Sequence, residues 1–333
     1  MTKPQATRPR TARSGATRTG ATRTGATRTG AGARVTVGDL TREGARRFTR
    51  GRLFFGHGTD NAFDEAAALV FHALRLDHAE APAVYAKVVD AAGRRRVEDL
   101  FERRIRERVP AAYLMKRMWF MGLELEVDER VLVPRSPIAE LIERRFAPWI
   151  DARRVKRVLD IGTGSGCIAI ACAVALPGAR VDAVDISVSA LAVARRNIRR
   201  HRLGTRVRAL RSDHFAALGG RLYDIIVSNP PYVGTREMRS LPREYRHEPQ
   251  IALASGSDGL DSVRVILREA ARYLQPWGIL VVEVGNSQAA LQRAFARLPF
   301  TWLEFERGGG GVFVLRCEQL EDVGDRPRRA AMR

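Results

Sequence analysis

Apolar residues recur with different periods along the chain, and the changes of period indicate its elements. Between residues 35 and 110 they recur every three or four positions, as Phe63 and Val70 illustrate, which is the spacing of amphipathic helices. Pro110 marks the expected end of this helical region. Residues 117–133 contain short apolar stretches instead, which predict strands arranged as a hairpin.

From residue 155 onward, strand patterns alternate with helix patterns. Strands are expected at residues 155–161, 180–185, 206–211, 223–228, 279–284, 301–306 and 312–316. Helices are expected at residues 138–146, 167–176, 189–200, 262–274 and 287–297. Residues 223–228 are almost continuously apolar, as a strand that is buried on both faces is. This alternation predicts an α/β fold with a Rossmann-like, doubly wound parallel sheet.

These patterns predict the order of domains. Residues 1–34 contain three copies of Ala-Thr-Arg-Thr-Gly and almost no apolar side chains, so we expect a disordered basic tail there. We then expect an N-terminal helical domain at 35–115, a hairpin linker at 116–137 and the α/β domain at 138–320. Residues 321–333 are expected to form a second disordered tail.

The charge of the chain indicates a polyanionic partner. The formal net charge is +20, and the first 34 residues contain eight Lys or Arg and no acid. A basic surface attracts polyanions, so a weak contact of the tail with ribosomal RNA is one expectation. A compositional bias toward Arg and Ala explains the same charge without any partner, and charge alone does not decide between the two.

Several classes of protein are excluded by composition. The three cysteines, Cys167, Cys172 and Cys317, have no paired spacing, which argues against a disulfide framework and against a metal site. The chain has no apolar run of about 18 residues, so no membrane-spanning helix is expected. The N-terminus also lacks the apolar region of a secretory signal, and we expect a cytoplasmic protein.

A glycine-rich loop follows the first strand of the α/β domain. Asp160 precedes a G-x-G-x-G sequence that comprises Gly162, Thr163, Gly164 and Gly166. Glycines let the backbone turn tightly and approach a ligand closely. A carboxylate beside the loop would repel the pyrophosphate that a G-x-G-x-x-G loop binds. The pattern suits a ligand with an ammonium group, such as the amino-acid end of S-adenosylmethionine, and these five residues are candidate contacts.

Acidic residues also end the next two strands. Asp185 ends the second strand, where a carboxylate can accept hydrogen bonds from both hydroxyls of a ribose. Ile186 follows it, and Asp213 follows the third strand, near the expected position of an adenine. His214 is expected to be a surface residue outside the site. Together with the glycine loop, these acids predict an S-adenosylmethionine site.

The tetrad Asn229-Pro230-Pro231-Tyr232 lies just past the buried strand, at the sheet edge where open α/β sheets bind ligands. The prolines make it rigid, so the Pro230 carbonyl and the Asn229 side chain are two acceptors for the hydrogens of one NH₂ group. Acceptors there oppose the positive charge that develops when a weakly nucleophilic amide nitrogen attacks, and Tyr232 can pack on the amide plane. The same grip suits the exocyclic amine of adenine, so the tetrad leaves the substrate open.

These motifs and four further segments resemble the release-factor glutamine methyltransferase family, which also includes enzymes that act on ribosomal proteins. The further segments lie at residues 56–61, 131–138, 244–249 and 254–260. The loop at 134–138 reads Pro-Arg-Ser-Pro-Ile, whereas the release-factor branch typically reads Pro-Arg-Pro-Asp-Thr-Glu. The resemblance is therefore closer to the branch that acts on large-subunit ribosomal protein uL3.

The resemblance spans about residues 35–320 and implies an S-adenosylmethionine-dependent methyltransferase domain at 138–320. It implies a seven-stranded sheet with one antiparallel strand, preceded by a small helical domain and a hairpin. It also implies that Asp160, Gly162 and Asp185 contact the cofactor and that Asn229 and Pro230 contact a glutamine amide. The partner that it implies is a ribosomal protein, either uL3 itself or uL3 in the assembling large subunit.

Three alternatives stay open. One is an adenine methyltransferase acting on RNA or DNA, although the 101 residues after Tyr232 are needed to finish the sheet and leave no recognition region for DNA. The second is a glutamine methyltransferase acting on peptide chain release factors. The third is a non-catalytic ribosome-assembly factor, against which the intact tetrad and glycine loop argue.

Overall fold

The structure is a computed structural model, and it describes residues 34–77, 81–321 and 323. The predicted tails at 1–34 and 321–333 therefore lie almost wholly outside the described residues. Within the described part, no helix has the length and apolar character needed to cross a membrane.

Five helices occupy the region where helical spacing predicts them. They are α1 (Val37–Arg50), α2 (Ala62–Leu74), α3 (Ala81–Val84), α4 (Ala91–Arg106) and α5 (Ala111–Met115). The side chains of Thr36, Asn61 and Asp90 accept backbone N–H bonds at the starts of α1, α2 and α4, which satisfies donors that have no partner inside a helix. In the core between these helices, the rings of Phe48 and Phe101 meet edge to face at 5.1 Å.

The predicted hairpin follows the helices. Its antiparallel strands are β1 (Arg117–Phe120) and β2 (Leu123–Glu126). Met121 and Gly122 join them with φ angles of 51° and 73°, the left-handed backbone of a tight hairpin turn. After it comes α6 (Ile138–Glu143), which ends before the predicted residue 146 because Arg145 and Phe146 also adopt positive φ angles.

A seven-stranded sheet forms the rest of the described chain. Its strands are β3 (Arg157–Ile161), β4 (Arg180–Asp185), β5 (Val207–Arg211), β6 (Tyr223–Ser228), β7 (Leu274–Glu283), β8 (Thr301–Trp302) and β9 (Val312–Arg316). The helices between and after them are α7 (Cys167–Ala175), α8 (Val188–Arg200), α9 (Thr235–Met238), α10 (Asp261–Tyr273) and α11 (Gln288–Ala294). The spatial order is β5-β4-β3-β6-β7-β9-β8, and within this sheet β9 alone runs in the direction opposite to the other six strands. The predicted α/β class and the single antiparallel strand are confirmed.

Two strands differ from the prediction by four or five residues at one end, whereas the others differ by two or fewer. β7 begins at Leu274 rather than at residue 279, because Leu274 already pairs with Tyr223 before an irregularity in the ladder. β8 ends at Trp302 rather than at residue 306, because the chain then leaves the sheet for a glycine-rich loop. The ends of strands depend on pairing with distant residues, which the period of apolar positions does not reveal.

The sheet is covered on both faces. Along β6, Ile225 and Val227 pack into one apolar cluster, whereas Ile226 packs into another, since successive side chains of a strand point to opposite faces. The order of strands reverses between β3 and β6, which are neighbours although two other strands separate them in sequence. Open α/β sheets bind their ligands at the carboxyl ends of strands at such a reversal point.

Candidate active site

The glycine loop and the tetrad meet at the carboxyl ends of β3 and β6. Gly162 has a φ angle of +71°, and a Cβ atom there would lie 3.9 Å from both the Asn229 carbonyl oxygen and Pro230 Cα. The Ser228 hydroxyl donates to the Ile161 carbonyl at 2.7 Å and ties the two strand ends together. Two motifs that lie more than 60 residues apart in sequence therefore form one site.

A cavity of about 400 Å³ opens beside these loops. The candidate residues that line it are Gly162, Thr163, Gly164, Asp185, Ile186, Asp213, Asn229, Pro230 and Pro231. Asp160, Gly166 and Tyr232 are the candidate residues that do not line it. His214, which the sequence predicts to be a surface residue outside the site, is half-buried and does line it.

Asp160 lies beneath the glycine loop and is buried. Its Oδ2 atom accepts hydrogen bonds from the Thr163 hydroxyl at 2.6 Å and from the Ala169 N–H at 3.1 Å. Its Oδ1 atom is buried without a hydrogen-bond partner among the described residues. Burial raises the pKa of Asp160 to about 7, against the lowering effect of these two bonds. An unpaired buried carboxylate oxygen fits a site for a cationic group.

Gly166 has a different place in the loop. Its φ angle is +84°, and a Cβ atom there would lie 3.3 Å from the Ala194 side chain. Its N–H donates to the Thr163 carbonyl at 2.8 Å, directly before α7 begins. Gly166 thus allows the start of α7 to pack closely against α8, and its positive φ angle forms part of the turn of the loop.

Asp185 is held by the backbone on both sides of its carboxylate. Oδ2 accepts the Gly164 N–H at 2.9 Å, and Oδ1 accepts the Ser187 N–H at 2.8 Å. Burial raises the pKa of Asp185, and the backbone bonds oppose that rise. Each carboxylate oxygen can accept more than one hydrogen bond, so the two oxygens keep acceptor capacity in a fixed orientation.

The far end of the cavity is more exposed. Asp213 bonds to His214 Nδ1 at 2.7 Å, and His214 Nε2 lies 2.7 Å from the Ser262 hydroxyl. The side chain of Asp213 is 66% exposed, and Ile186 is 45% exposed beside the cavity. The imidazole therefore joins the end of β5 to the start of α10 and forms part of the wall.

A side-chain hydrogen bond joins the tetrad to the loop that precedes α6. The Asn229 Nδ2 group donates to the Arg135 carbonyl at 3.4 Å. This bond uses an amide hydrogen and leaves the Oδ1 oxygen as the acceptor of the side chain. Asn229, Pro230 and Pro231 all line the cavity beside the glycine loop.

Tyr232 lies on the other side of the tetrad. It lines a second cavity of about 630 Å³, together with Pro137, Glu283 and the glycines at 309–311. Its hydroxyl donates to Glu283 at 3.4 Å, and its carbonyl accepts from the Ser287 hydroxyl at 2.7 Å. The tetrad therefore separates two cavities, one beside the glycine loop and one beside Tyr232.

Glu283 is a residue of this region that the sequence analysis missed. It ends β7, is buried, and accepts from the Ser136 hydroxyl at 2.5 Å. Burial raises its pKa to about 7, although the Ser136 bond and the Arg135 charge lower it. A signal was present, because an acid at the carboxyl end of an apolar strand is the same pattern that identified Asp185.

Three of the segments noted in the sequence converge behind the tetrad. Arg135 donates to both Glu248 oxygens, at 2.6 and 2.8 Å, and its guanidinium lies 5.4 Å from the centre of the Tyr245 ring. The His57 ring packs on Tyr245 at 4.7 Å, and its Nε2 lies 3.6 Å from Glu248. This network fixes the loop whose carbonyl accepts the hydrogen bond from Asn229.

The charge of Glu248 is maintained despite its burial. Burial is the largest single effect and favours the neutral acid, but the hydrogen bonds and charges of Arg135 and His57 together outweigh it and lower the pKa of Glu248 to about 2. The carboxylate is therefore ionised at neutral pH and forms a tight pair with Arg135.

The metal-binding residue types of the described chain are dispersed rather than grouped. Among the described residues, no group of three or more His, Cys, Asp or Glu side chains is placed to hold a metal ion. Cys167, Cys172 and Cys317 are free thiols within the described chain, and burial raises the pKa of Cys167 to about 12.

Comparisons with known proteins bear on this site. A family model described as "Methyltransferase small domain" matches residues 144–244. A protein from Xanthomonas campestris pv. campestris is 49% identical over 285 residues, which cover 86% of this chain and 92% of that protein. Proteins from Francisella tularensis subsp. tularensis (44% identical, covering 87% and 93%) and Neisseria meningitidis serogroup A (48%, covering 86% and 94%) are also similar. All three are named "Ribosomal protein uL3 glutamine methyltransferase".

Proposed function

The chain belongs to the ribosomal protein uL3 glutamine methyltransferase family, and we propose that it transfers a methyl group from S-adenosylmethionine to the side-chain amide nitrogen of a glutamine in uL3. The observation that carries this proposal is the shared cavity: Asn229 and Pro230 line the same space as the glycine loop. A methyl donor and a planar NH₂ group can therefore meet there.

The residues of the cavity, together with Asp160 beneath the glycine loop, suit S-adenosylmethionine. The unpaired Oδ1 of Asp160 fits the positive charge at the amino-acid end of this cofactor. The oriented carboxylate of Asp185 suits two ribose hydroxyls. The volume of about 400 Å³ lies in the usual range for small-molecule sites. When bound, the cofactor supplies an electrophilic methyl group on a sulfonium.

The tetrad then acts on the nucleophile. The Asn229 Oδ1 and the Pro230 carbonyl accept the two hydrogens of the glutamine amide, which orients its nitrogen toward the cavity. Positive charge develops on that nitrogen during attack, and two fixed oxygen dipoles stabilise it. The proline ring holds the backbone at Pro230, so the acceptors need no reorganisation as the charge develops. The product amide loses its extra proton readily, and no strong base is required.

The choice of substrate follows from family membership. The tetrad alone also suits the exocyclic amine of adenine, and the sequence left release factors open as well. The three relatives described above are named for uL3, and the resemblance of the loop at 134–138 favours the same branch.

The experiment that tests the proposed function uses uL3 isolated from cells that lack this protein. The purified chain is incubated with that uL3 and S-adenosylmethionine, and the peptides are analysed by mass spectrometry. We expect one glutamine-containing peptide to gain the mass of one methylene, with fragment ions that place it on the side-chain amide. Transfer only to RNA, or to no glutamine of uL3, would contradict the proposal. A reaction without cofactor is the control.

A further inference from the structure

A third cavity, distinct from the two beside the tetrad, lies at the opposite edge of the sheet from the candidate active site. Its volume is about 560 Å³, and we call it the arginine cavity. Seven arginines line it: Arg157, Arg180, Arg195, Arg199, Arg206, Arg208 and Arg221. Arg157 and Arg180 are the first residues of β3 and β4, so the cavity lies at the amino ends of these strands. The glycine loop follows the other end of β3, about 13 Å away along the strand.

The charge of the arginine cavity is almost uncompensated. The one acid that lines it, Asp182, pairs with Arg208 at 2.9 Å and accepts the Tyr223 hydroxyl at 2.8 Å. Among the residues that the structure describes, the other six arginines form no ion pair. Some arginines elsewhere are neutralised, since Arg47 pairs with two glutamates and Arg196 pairs with Glu126 and Asp128. Other exposed arginines, such as Arg94 and Arg236, also form no ion pair within the described residues, so what distinguishes the cavity is the number of arginines around one concavity. Six positive charges are therefore concentrated around one concavity.

Some of these side chains are fixed and others reach the solvent. Arg206 donates to the Ala173 carbonyl at 2.6 Å, and Arg195 donates to the Ala209 carbonyl at 3.2 Å. Arg157, Arg180 and Arg199 are exposed at the rim. The cavity thus combines arginines that backbone carbonyls hold with arginines that are exposed at its rim. A concave basic surface attracts anions more strongly than isolated charges do.

We propose that the arginine cavity binds the phosphate backbone of RNA. The planar guanidinium of arginine matches the oxygens of a phosphate with two parallel hydrogen bonds. Specific protein partners are usually anchored by exposed aromatic and apolar side chains, whereas the aromatic residue of this cavity, Tyr223, is buried in the sheet. The observations therefore favour a polyphosphate over an acidic protein.

The choice of RNA as the polyphosphate rests on the proposed function. A substrate that belongs to the large ribosomal subunit meets the enzyme together with ribosomal RNA when the subunit is assembling. Because the arginine cavity and the active site lie at opposite ends of the parallel strands, bound RNA would leave the tetrad open to the glutamine. RNA contact then raises the residence time of the enzyme on an RNA-bound substrate without taking part in methyl transfer.

The test compares two charge-matched variants of the full chain. One is Arg157→Gln/Arg180→Gln/Arg199→Gln at the rim of the cavity. The other is Arg42→Gln/Arg46→Gln/Arg106→Gln, which removes the same charge from exposed arginines that already form ion pairs on α1 and α4. Fluorescence anisotropy measures the binding of a fluorescein-labelled RNA duplex over a range of salt concentrations. Both variants keep the N-terminal segment, so any contribution of it to RNA binding is the same in both.

We expect the cavity variant to bind this RNA about tenfold more weakly. The magnitude of the negative slope of log K against log salt should fall by about 2, because each lost phosphate contact reduces it by about 0.7–0.9. The control variant should change both quantities much less. Arg180→Gln alone should give about a third of the change, which keeps the test available if the triple variant folds poorly. Methylation of isolated uL3 should be equal in all variants.

Equal weakening by both triple variants would mean that affinity follows net charge alone, and it would overturn the proposal. Displacement of the RNA by polyaspartate at equal charge concentration would assign the cavity to acidic proteins and would also overturn it. Tighter binding of a DNA duplex of the same sequence would overturn RNA as the ligand. Failure of the proposed function has a separate signature, because the wild-type chain would then bind RNA but leave uL3 unmethylated.

Discussion

At the scale of single residues, the two aspartates of the glycine-loop region, buried Asp160 and half-buried Asp185, offer different groups to a ligand. Asp160 keeps one oxygen without a partner, whereas both oxygens of Asp185 already hold backbone N–H groups. A ligand must therefore add to the bonds of Asp185 and not replace them. The side chain of Asp185 both positions the loop and offers its remaining lone pairs.

Asp185→Ala should weaken binding of the cofactor by about tenfold to a hundredfold, because it removes hydrogen bonds to a charged acceptor that are worth about 1.5–3 kcal/mol. Titration calorimetry with S-adenosylhomocysteine measures this change. Asp185→Asn retains one side-chain oxygen, so its affinity for the cofactor should lie between those of wild type and Asp185→Ala. Unchanged affinity in the alanine variant would remove Asp185 from the site.

Glu283 should make stability depend on pH. Below about pH 4.5 its carboxyl is protonated in both the folded and the unfolded chain. As pH rises toward the folded-state pKa of about 7, the unfolded chain releases the proton first, so the folded state loses relative stability. Glu283→Gln cannot ionise and does not lose this stability. The free energy of unfolding of the variant relative to wild type should therefore be greater at pH 8 than at pH 5, by up to about 3 kcal/mol.

Urea unfolding of wild type and Glu283→Gln at pH 5 and pH 8 checks this expectation. The matched control is Glu304→Gln, since Glu304 is exposed and water solvates its carboxylate. That control should show little difference between the two pH values. If the stability difference between Glu283→Gln and wild type is the same at both pH values, the buried carboxyl does not carry the raised pKa.

At the scale of elements, the Arg135–Glu248 ion pair is the charged part of the network that holds the loop before α6. Glu248→Gln leaves the partly buried Arg135 without its carboxylate and should lower the free energy of unfolding by about 2–3 kcal/mol. Glu306→Gln is the matched control, because the Arg144–Glu306 pair is exposed on both sides and should cost less than about 1 kcal/mol. Equal melting temperatures for the two variants would show that the pair at Arg135 does not hold the loop.

The elements themselves could largely be predicted from the sequence. The period of apolar residues locates the helices at the N-terminus, the hairpin and all seven strands, because burial on one or both faces imposes that period directly. The region between the tetrad and α10 gave no element, and it folds into short turns and the four-residue α9. Such turns depend on hydrogen bonds between residues that are distant in the chain. The Val233 N–H donates to the Leu253 carbonyl, and the Ser255 N–H donates to the Val233 carbonyl, which forms an isolated β-bridge.

The sequence predicted which residues belong to the candidate site better than it predicted where their side chains point. The rule that ligands bind at the carboxyl ends of parallel strands explains why Gly162, Asp185 and Asn229 line one cavity. It does not give the direction of a side chain, so it could not reveal that Tyr232 faces a second cavity. Nor could it find the pairing of Arg135 with Glu248, which lie 113 residues apart in the chain.

At the scale of the whole molecule, the two ends of the parallel strands carry different chemistry. Three aspartates and two arginines line the cavity at the carboxyl ends, whereas seven arginines and one aspartate line the cavity at the amino ends. This separation lets one edge of the sheet meet a neutral amide and the other edge meet a polyanion. Methyl transfer and RNA contact can then be changed independently by substitution.

Deleting residues 2–33 should leave methylation of isolated uL3 unchanged, because the residues assigned to the site all lie between 160 and 232. The rate of methyl incorporation into purified uL3, with and without the segment, checks this. A collapse of that rate would mean that the N-terminal segment takes part in recognition of the protein substrate.

The central claim is that the side-chain oxygen of Asn229, with the Pro230 carbonyl, holds the amide during transfer. Its most direct test is the single-turnover rate of uL3 methylation by Asn229→Ala at saturating cofactor, measured with the calorimetric affinity for S-adenosylhomocysteine. We expect the rate to fall by about a hundredfold to a thousandfold while cofactor affinity stays nearly unchanged, since one acceptor of developing charge is lost. A variant that methylates uL3 at the wild-type rate would contradict the account.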